Sequence, residues 1–142
     1  MTNRDIGKES AQVRSRTLSE TRGCFEVFAV VYELGSDCLV ILHGGTRPHI
    51  GAVGMGQVRP SLQDPKTVSA TSSVFTYVGH KEDVVAKTSS EELTRRLGRN
   101  TVVVAGIHWE GLSEEGIRDI RSACQALTDK IVQELSCSEC NE

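Results

Sequence analysis

The sequence predicts an α+β fold, in which a mainly antiparallel sheet carries two helices packed on one face. β-Branched, strand-like stretches dominate the first half of the chain, and the clearest amphipathic helix pattern lies near its end. A shorter helical pattern separates the last apolar run from the earlier ones. The predicted order is therefore β-β-β-β-α-β-α. We expect one α+β domain over residues 23–136, a flexible N-terminal arm over residues 1–22 and a flexible tail over residues 137–142.

The four predicted strands of the first half follow one another closely. Residues 24–32 and 37–43 are rich in β-branched and apolar residues, and the short turn between them predicts an antiparallel hairpin. A third strand is predicted over about residues 50–58. After a proline-containing loop, a fourth is predicted over about residues 67–78.

The second half contains the two predicted helices and one more strand. Residues 79–83 open a helix that ends at about Leu97, because the following glycine is typical of a C-terminal cap. Residues 101–108 form a nearly continuous apolar run, which is typical of a central strand covered on both faces. Ser113 is the predicted N-cap of the last helix. The apolar stripe of that helix comprises Ile117, Ile120, Cys124, Leu127, Ile131 and Leu135.

Composition excludes several classes of function. The chain has 142 residues, a net charge of -3 and 4% aromatic residues, so neither nonspecific nucleic-acid binding nor base stacking is indicated. No apolar run approaches the roughly 20 residues needed to cross a bilayer, and the N-terminus has no apolar leader. We therefore expect a cytoplasmic protein that contacts no membrane and keeps its five cysteines reduced.

The strongest indication of a functional site is the segment from Leu42 to Gly54, which joins two predicted strands. It combines glycines that allow a ligand to approach the backbone, an arginine suited to a phosphate or carboxylate, and a histidine. A hairpin loop with a bulged exit is the alternative interpretation. The residues concerned are Gly44, Gly45, Arg47, His49 and Gly51.

A second indication lies where the first helix begins. His80 and Lys81 place cations at a helix N-terminus, where they oppose the helix dipole unless an anion binds there. Alternatively, Glu82 and Asp83 already complement the dipole and Lys81 points into solvent. The backbone N–H groups of the Gly-rich segment are candidates for contacting the same anion.

A metal is the rival use of the histidines, all of which fall at strand ends or in loops. His49, His80 and His108, with Asp83 or Glu110, are candidate nitrogen and oxygen ligands for a divalent metal. Scattered surface or structural histidines are the alternative. His43, at the end of the second predicted strand, completes the four.

Two further patterns give no strong indication of a function. Cys137 and Cys140 form a single C-x-x-C pair without the second pair that structural zinc requires, so an incidental tail is favoured. No nucleophile–base arrangement can be picked out, and the residues make no strong case for an enzyme.

Three motifs, at residues 44–53, 80–83 and 105–108, occur in an order that resembles a known family. The family is that of the small D-type subunits of gallate-type, prenylated-flavin-dependent aromatic-acid decarboxylases, also described as prenylated flavin chaperones. The resemblance covers roughly residues 24–135. It implies a non-catalytic subunit that binds prenylated FMN, made by a flavin prenyltransferase, and delivers it to the large decarboxylase subunit. The expected assembly is a homodimer.

The sequence departs from the family pattern at two places. Glu82 stands where an aspartate is expected, although Asp83 follows it, and Trp109-Glu110 replaces a smaller residue and an aspartate. Trp109 is a candidate for stacking on the flavin ring, with a core position as the alternative. The residues assigned to ligand binding are Gly44, Gly45, Arg47, His49, Gly51, His80, Lys81, His108 and Trp109.

Two other functions remain open at this point. One is an enzyme, either a decarboxylase component or a small hydrolase, that uses His49, His80 and His108, with a metal as an optional component. The other is a structural subunit that only stabilises the large chain.

Overall fold

The computed structural model describes residues 13–80 and 82–138, which contain six strands and two helices. These are β1 (Arg14–Arg22), β2 (Phe25–Leu34), β3 (Asp37–Gly45), β4 (Ala52–Pro60), β5 (Val68–Thr76), α1 (Asp83–Leu97), β6 (Thr101–His108) and α2 (Glu114–Ser138). From β2 onward the order is the predicted one, and the α+β class is confirmed. The first twelve residues of the predicted arm, Lys81, and residues 139–142 of the predicted tail lie outside the described residues.

The strands form one sheet in the order β1-β2-β3-β6-β4-β5. All neighbouring strands are antiparallel except β3 and β6, which are parallel. Both helices pack on one face: α1 lies over β4, β5 and β6, and α2 lies over β1 and β2. The loop between β3 and β4 therefore meets the end of β6, because β6 is inserted between these two strands.

The strand β1 corrects the predicted N-terminal arm. Residues 14–22 form an edge strand paired with β2, not a flexible arm. Two ion pairs with α2 support it: Arg16 Nη1 lies 3.2 Å from Glu134 Oε2, and Lys130 Nζ lies 2.7 Å from Glu20 Oε1. A strand held by backbone pairing and ion pairs does not need many apolar side chains. The sequence of β1 therefore lacks the apolar alternation from which a strand is predicted.

The core lies between the sheet and the two helices. The α2 stripe is buried as predicted except at Ile117, which is 40% exposed. The predicted caps are also present: Ser113 Oγ accepts the Gly116 N–H at 3.0 Å, and Gly98, at φ 65°, donates its N–H to the Thr94 carbonyl. The largest fully buried apolar side chains are Leu42, Leu93, Leu127, Ile131, Leu135, Val27, Val31, Val40 and Val103.

The strand β6 lies in the centre of the sheet, and among the described residues helices cover one of its faces. Val103 and Ala105 are buried beneath the helices, whereas Val102 and Val104 on the opposite face remain partly exposed. The continuous apolar run therefore correctly predicted a central strand, and the described part of a single chain covers only one of the two faces that the run predicted to be covered.

The helix α2 extends to Ser138, so it includes the first two residues of the predicted tail. Cys137 is exposed at its end, and Cys140 lies outside the described residues. Within the described part of the chain, neither helix combines the length and apolar character needed to cross a membrane.

Two buried cysteines are expected to resist alkylation. Burial raises the pKa of the Cys38 thiol to about 11 and that of the Cys124 thiol to about 12, so both stay in the unreactive thiol form at pH 8. Iodoacetamide at pH 8 should label the exposed Cys24 and Cys137 in the native protein. Peptide mapping should find Cys38 and Cys124 labelled only after unfolding in urea; labelling of native Cys124 at the rate of Cys24 would contradict this.

Candidate functional site

The glycine-rich segment links the ends of β3, β6 and β4. Gly44 and Gly45 are the last residues of β3 and pair with β6, so they belong to the sheet and not to a loop. The loop that follows is fixed at both ends: Thr46 N–H donates to the His108 carbonyl at 2.8 Å, and Gly51 N–H donates to a carbonyl of β6 at 2.9 Å. This anchoring holds the loop against the end of the central strand.

Two glycines allow the backbones of this region to meet. Gly45 has φ +91°, and a Cβ there would overlap the His108 carbonyl. A Cβ at Gly106 would overlap the His49 carbonyl. Any side chain at either position would push a histidine-bearing backbone away from the sheet.

Two other glycines make room for side chains of the site. A Cβ at Gly51 would collide with the Glu82 carboxylate, and one at Gly44 would press against the Trp109 ring, 3.2 Å from its Cη2 atom. The repeated glycines therefore shape the site by leaving space for its functional groups.

His49, His80 and Glu82 form a compact cluster beside the start of α1. The rings of His49 and His80 stack with centroids 4.7 Å apart, and His49 Nε2 lies 2.7 Å from Glu82 Oε1. His80 Nδ1 lies 3.8 Å from the second carboxylate oxygen. Glu82 does not cap α1 with its side chain; its carboxylate, only 11% exposed, faces the two histidines.

The two contacts of the His49 ring indicate its tautomer. His49 Nδ1 lies 3.0 Å from the Arg47 carbonyl oxygen, which only accepts, so Nδ1 carries a proton. A neutral His49 then has a lone pair on Nε2, facing a carboxylate oxygen that also carries lone pairs. A cation between them, either a proton or a metal ion, is required to make this 2.7 Å contact attractive.

His108 stands at the edge of this cluster. Its ring centroid lies 6.1 Å from that of His49, and its Nε2 lies 4.0 Å from Glu110 Oε1. Arg47 Nη2 lies 3.3 Å from the same oxygen, and both Arg47 and Glu110 are 73% exposed. Arg47 is thus joined to the site through an exposed ion pair at its rim.

An apolar cavity of about 370 Å³ opens beside the cluster, between the sheet end, α1 and α2. Its walls are mostly apolar, with His80, Glu82, His108 and Arg121 as the polar lining residues. Trp109 contributes to the wall and is held edge-on by Phe25, with ring centroids 5.1 Å apart. The lining residues are Gly79, His80, Glu82, Val85, Ile107, His108, Trp109, Leu112, Ile117, Ile120 and Arg121.

The structure sorts the predicted site residues into groups. Three of them, His80, His108 and Trp109, line the cavity, and His49 joins them through the cluster. His43 lies elsewhere, stacked on Phe28 with ring centroids 5.3 Å apart. The carboxylate of the cluster is Glu82, and neither Asp83 nor Glu110 takes that position.

Sequence reasoning missed Arg121, an exposed residue of α2 that lines the cavity. The available signal was its position four residues after Ile117, at the border of the apolar stripe, where a helix places both side chains on one face.

Together, the single sheet with helices on one face and the histidine-lined cavity at its end define a small α+β protein with a candidate ligand site. The chain belongs to the LpdD-like prenylated flavin chaperone domain family, whose model matches residues 21–136. This confirms the family that the three motifs indicated.

The individual relatives share low sequence identity with this chain. Protein LpdD of Lactiplantibacillus plantarum is 24% identical over 119 residues, which cover 84% of this chain and 81% of that protein. Among solved structures, a chain from the crystal structure of a novel chaperone complex for yeast 20S proteasome assembly superimposes with a TM-score of 0.47 and 12% identity. The match covers 87% of this chain and 96% of that one.

Proposed function

We propose that this protein is a cytoplasmic carrier that binds prenylated FMN and delivers it to the large subunit of a non-oxidative aromatic-acid decarboxylase. A flavin prenyltransferase would supply the ligand. Membership of the prenylated flavin chaperone family supports the chaperone role. The observation that carries the ligand assignment is the cavity, because its lining combines apolar and aromatic side chains with His80, His108 and Arg121.

The apolar wall of the cavity suits the ring system and the prenyl group of prenylated FMN. A volume of about 370 Å³ falls within the range of about 300–1,000 Å³ usual for small-molecule sites. Trp109 offers an aromatic surface for a flavin ring, and Ile107, Leu112 and Ile117 offer aliphatic surface. A prenylated ring would bury more apolar area here than an unmodified one, so we expect the prenylated form to bind more tightly.

The polar lining residues suit the phosphate. Arg121 presents a guanidinium, which pairs with phosphate oxygens in bidentate fashion. His80 adjoins the N-terminus of α1, where backbone N–H groups favour an anion. Arg47, at the rim of the site, adds a further guanidinium. Lys81, assigned to ligand binding from the sequence, stays a prediction. In this account Gly44, Gly45 and Gly51 act through the space they leave for Trp109, His108 and Glu82.

A transfer assay tests the carrier function. The protein loaded with reduced prenylated FMN should activate a large subunit produced without its cofactor, and should do so faster than the same concentration of free prenylated FMN. The protein without ligand is the control and should give no activation.

Three outcomes would contradict the carrier function. Equal activation by free cofactor would show that no delivery occurs. Decarboxylation by this protein alone would favour the enzyme interpretation. Activation by the ligand-free protein at a fixed cofactor level would favour a structural subunit.

We also propose that a divalent cation binds to His49, His80 and Glu82. Their ligand atoms all lie within 4.8 Å of one another, and two nitrogens with one carboxylate suit Zn²⁺, Mn²⁺ or Fe²⁺. The specific support is the setting of His49: Nδ1 lies 3.0 Å from a backbone carbonyl oxygen, as in metal-bound histidines, and Nε2 lies 2.7 Å from a Glu82 carboxylate oxygen.

Metal titration tests this site with a matched control. Replacement of His49 by alanine should weaken Zn²⁺ or Mn²⁺ binding by at least about 100-fold, because it removes a direct ligand. His43→Ala, which alters a histidine outside the cluster, should leave the affinity unchanged. Calorimetry and elemental analysis give the affinity and stoichiometry. Equal affinities in the two variants, or no metal binding by the wild type, would exclude the site.

A further inference from the structure

The sheet face opposite the helices is apolar and lacks a cover within the described residues. We call it the open face. The side chains on this face alternate with the buried ones, and all keep intermediate or full exposure although the strands β2, β3, β4 and β6 are central in the sheet. Its apolar centre, with one histidine, consists of Phe28, Val30, Tyr32, Leu39, Ile41, His43, Val53, Met55, Val102 and Val104.

The polar residues of the open face lie at its margins. Both edge strands present hydroxyl side chains there, and the charged residues Glu26, Asp37 and Arg59 sit towards the strand ends. An uncharged apolar centre inside a polar rim is the usual anatomy of a protein–protein interface. The hydroxyl-bearing residues are Ser15, Thr17 and Ser19 on β1, and Ser69, Thr71 and Ser73 on β5.

We propose that a second copy of this chain covers the open face, so that two sheets pack face to face in a homodimer. The pattern is self-complementary: a two-fold rotation stacks one apolar centre on the other and places hydroxyl-bearing edge strands opposite hydroxyl-bearing edge strands. No charge in the middle of the face would be buried.

The size of the face fits this occupant. The four central strands, about 4.8 Å apart and with apolar rows about 20 Å long, give a projected apolar area on the order of 400 Å², and the two hydroxyl-bearing edge strands extend the face to on the order of 600 Å². The protruding side chains add accessible surface to this, towards the roughly 800 Å² that each partner buries in a standard interface. The ligand cavity is lined by residues of α1 and α2, which lie on the helix-bearing side, so two copies can pair without closing the cavity. The inference is independent of the ligand proposed above.

The decisive measurement is the mass of the full-length protein in solution, by light scattering and sedimentation equilibrium. The wild type should have twice the chain mass of 15.5 kDa at micromolar concentration. Ile41→Lys, at the centre of the open face, should raise the dimer dissociation constant at least about 30-fold. Met55→Lys should act similarly and is the safer variant for folding, because Met55 is already 50% exposed in the single chain. Leu62→Lys, at a loop residue 90% exposed, is the matched control and should leave the dimer intact.

Circular dichroism should show the same fold in all three variants. A monomeric wild type would overturn the proposal, and so would a dimer that persists in both Ile41→Lys and Met55→Lys. If the wild type is monomeric and Met55→Lys abolishes binding to the large decarboxylase subunit, the face belongs to a different partner and the proposal is equally overturned.

Discussion

Replacement of Gly54 by valine is expected to destabilise the protein by about 3 kcal/mol, because α1 packs directly on this part of β4. Even a single Cβ at Gly54 would overlap the Ala86 carbonyl group and lie 2.7 Å from Ser90 Oγ. The obstacle is mostly helix backbone, which cannot rotate away as a side chain can. The whole of α1 would have to move outward and lose its packing against the sheet.

Urea unfolding measures this effect, with Gln63→Val as the control. Gln63 is exposed in the loop between β4 and β5, so its replacement should change the free energy of unfolding by less than about 0.5 kcal/mol. An unfolding midpoint for Gly54→Val equal to that of the wild type would show that α1 does not press on β4 here.

Filling the cavity should abolish ligand binding. Ile117 lines the cavity but is 40% exposed, so a larger side chain at this position can occupy the cavity without entering the buried core. We expect Ile117→Trp to weaken the binding of reduced prenylated FMN by at least about 100-fold, which corresponds to about 2.7 kcal/mol.

The control for this variant is Leu62→Trp, which adds a tryptophan at a residue 90% exposed and outside the cavity lining. Its affinity for prenylated FMN should equal that of the wild type. Both variants should unfold at similar urea concentrations. An unchanged affinity in Ile117→Trp would place the ligand elsewhere on the protein.

The sequence predicted most of the fold because most elements carry a strong local signal. Periodicity alone predicts the α2 stripe and the apolar strands β2, β3 and β6. Capping preferences predict the Ser113 and Gly98 caps. The strand β1 has no such signal, because an edge strand held by backbone pairing and by ion pairs to α2 needs few apolar residues.

The site was predicted in part, for a physical reason that its glycines illustrate. Sequence shows that Gly44, Gly45 and Gly51 allow close approach, but not what approaches them. The structure shows that the partners are Trp109, His108 and Glu82.

The sequence alone could not show which carboxylate joins the histidine cluster. Glu82 and Asp83 are adjacent acids, and only the start of α1 determines which one turns towards His49. Arg121 was missed for a similar reason. Its position four residues after Ile117 shows that it borders the apolar stripe, but not that a cavity lies beside it.

The central claim, that this chain binds prenylated FMN, is tested most directly by titrating the full-length wild-type protein with reduced prenylated FMN and with FMN. Absorbance gives the affinities, and native mass spectrometry gives the stoichiometry. We predict one prenylated FMN per chain, bound more tightly than FMN because the prenylated ring buries more apolar surface against the cavity wall. If neither flavin binds, or if FMN binds as tightly as the prenylated form, the claim is contradicted.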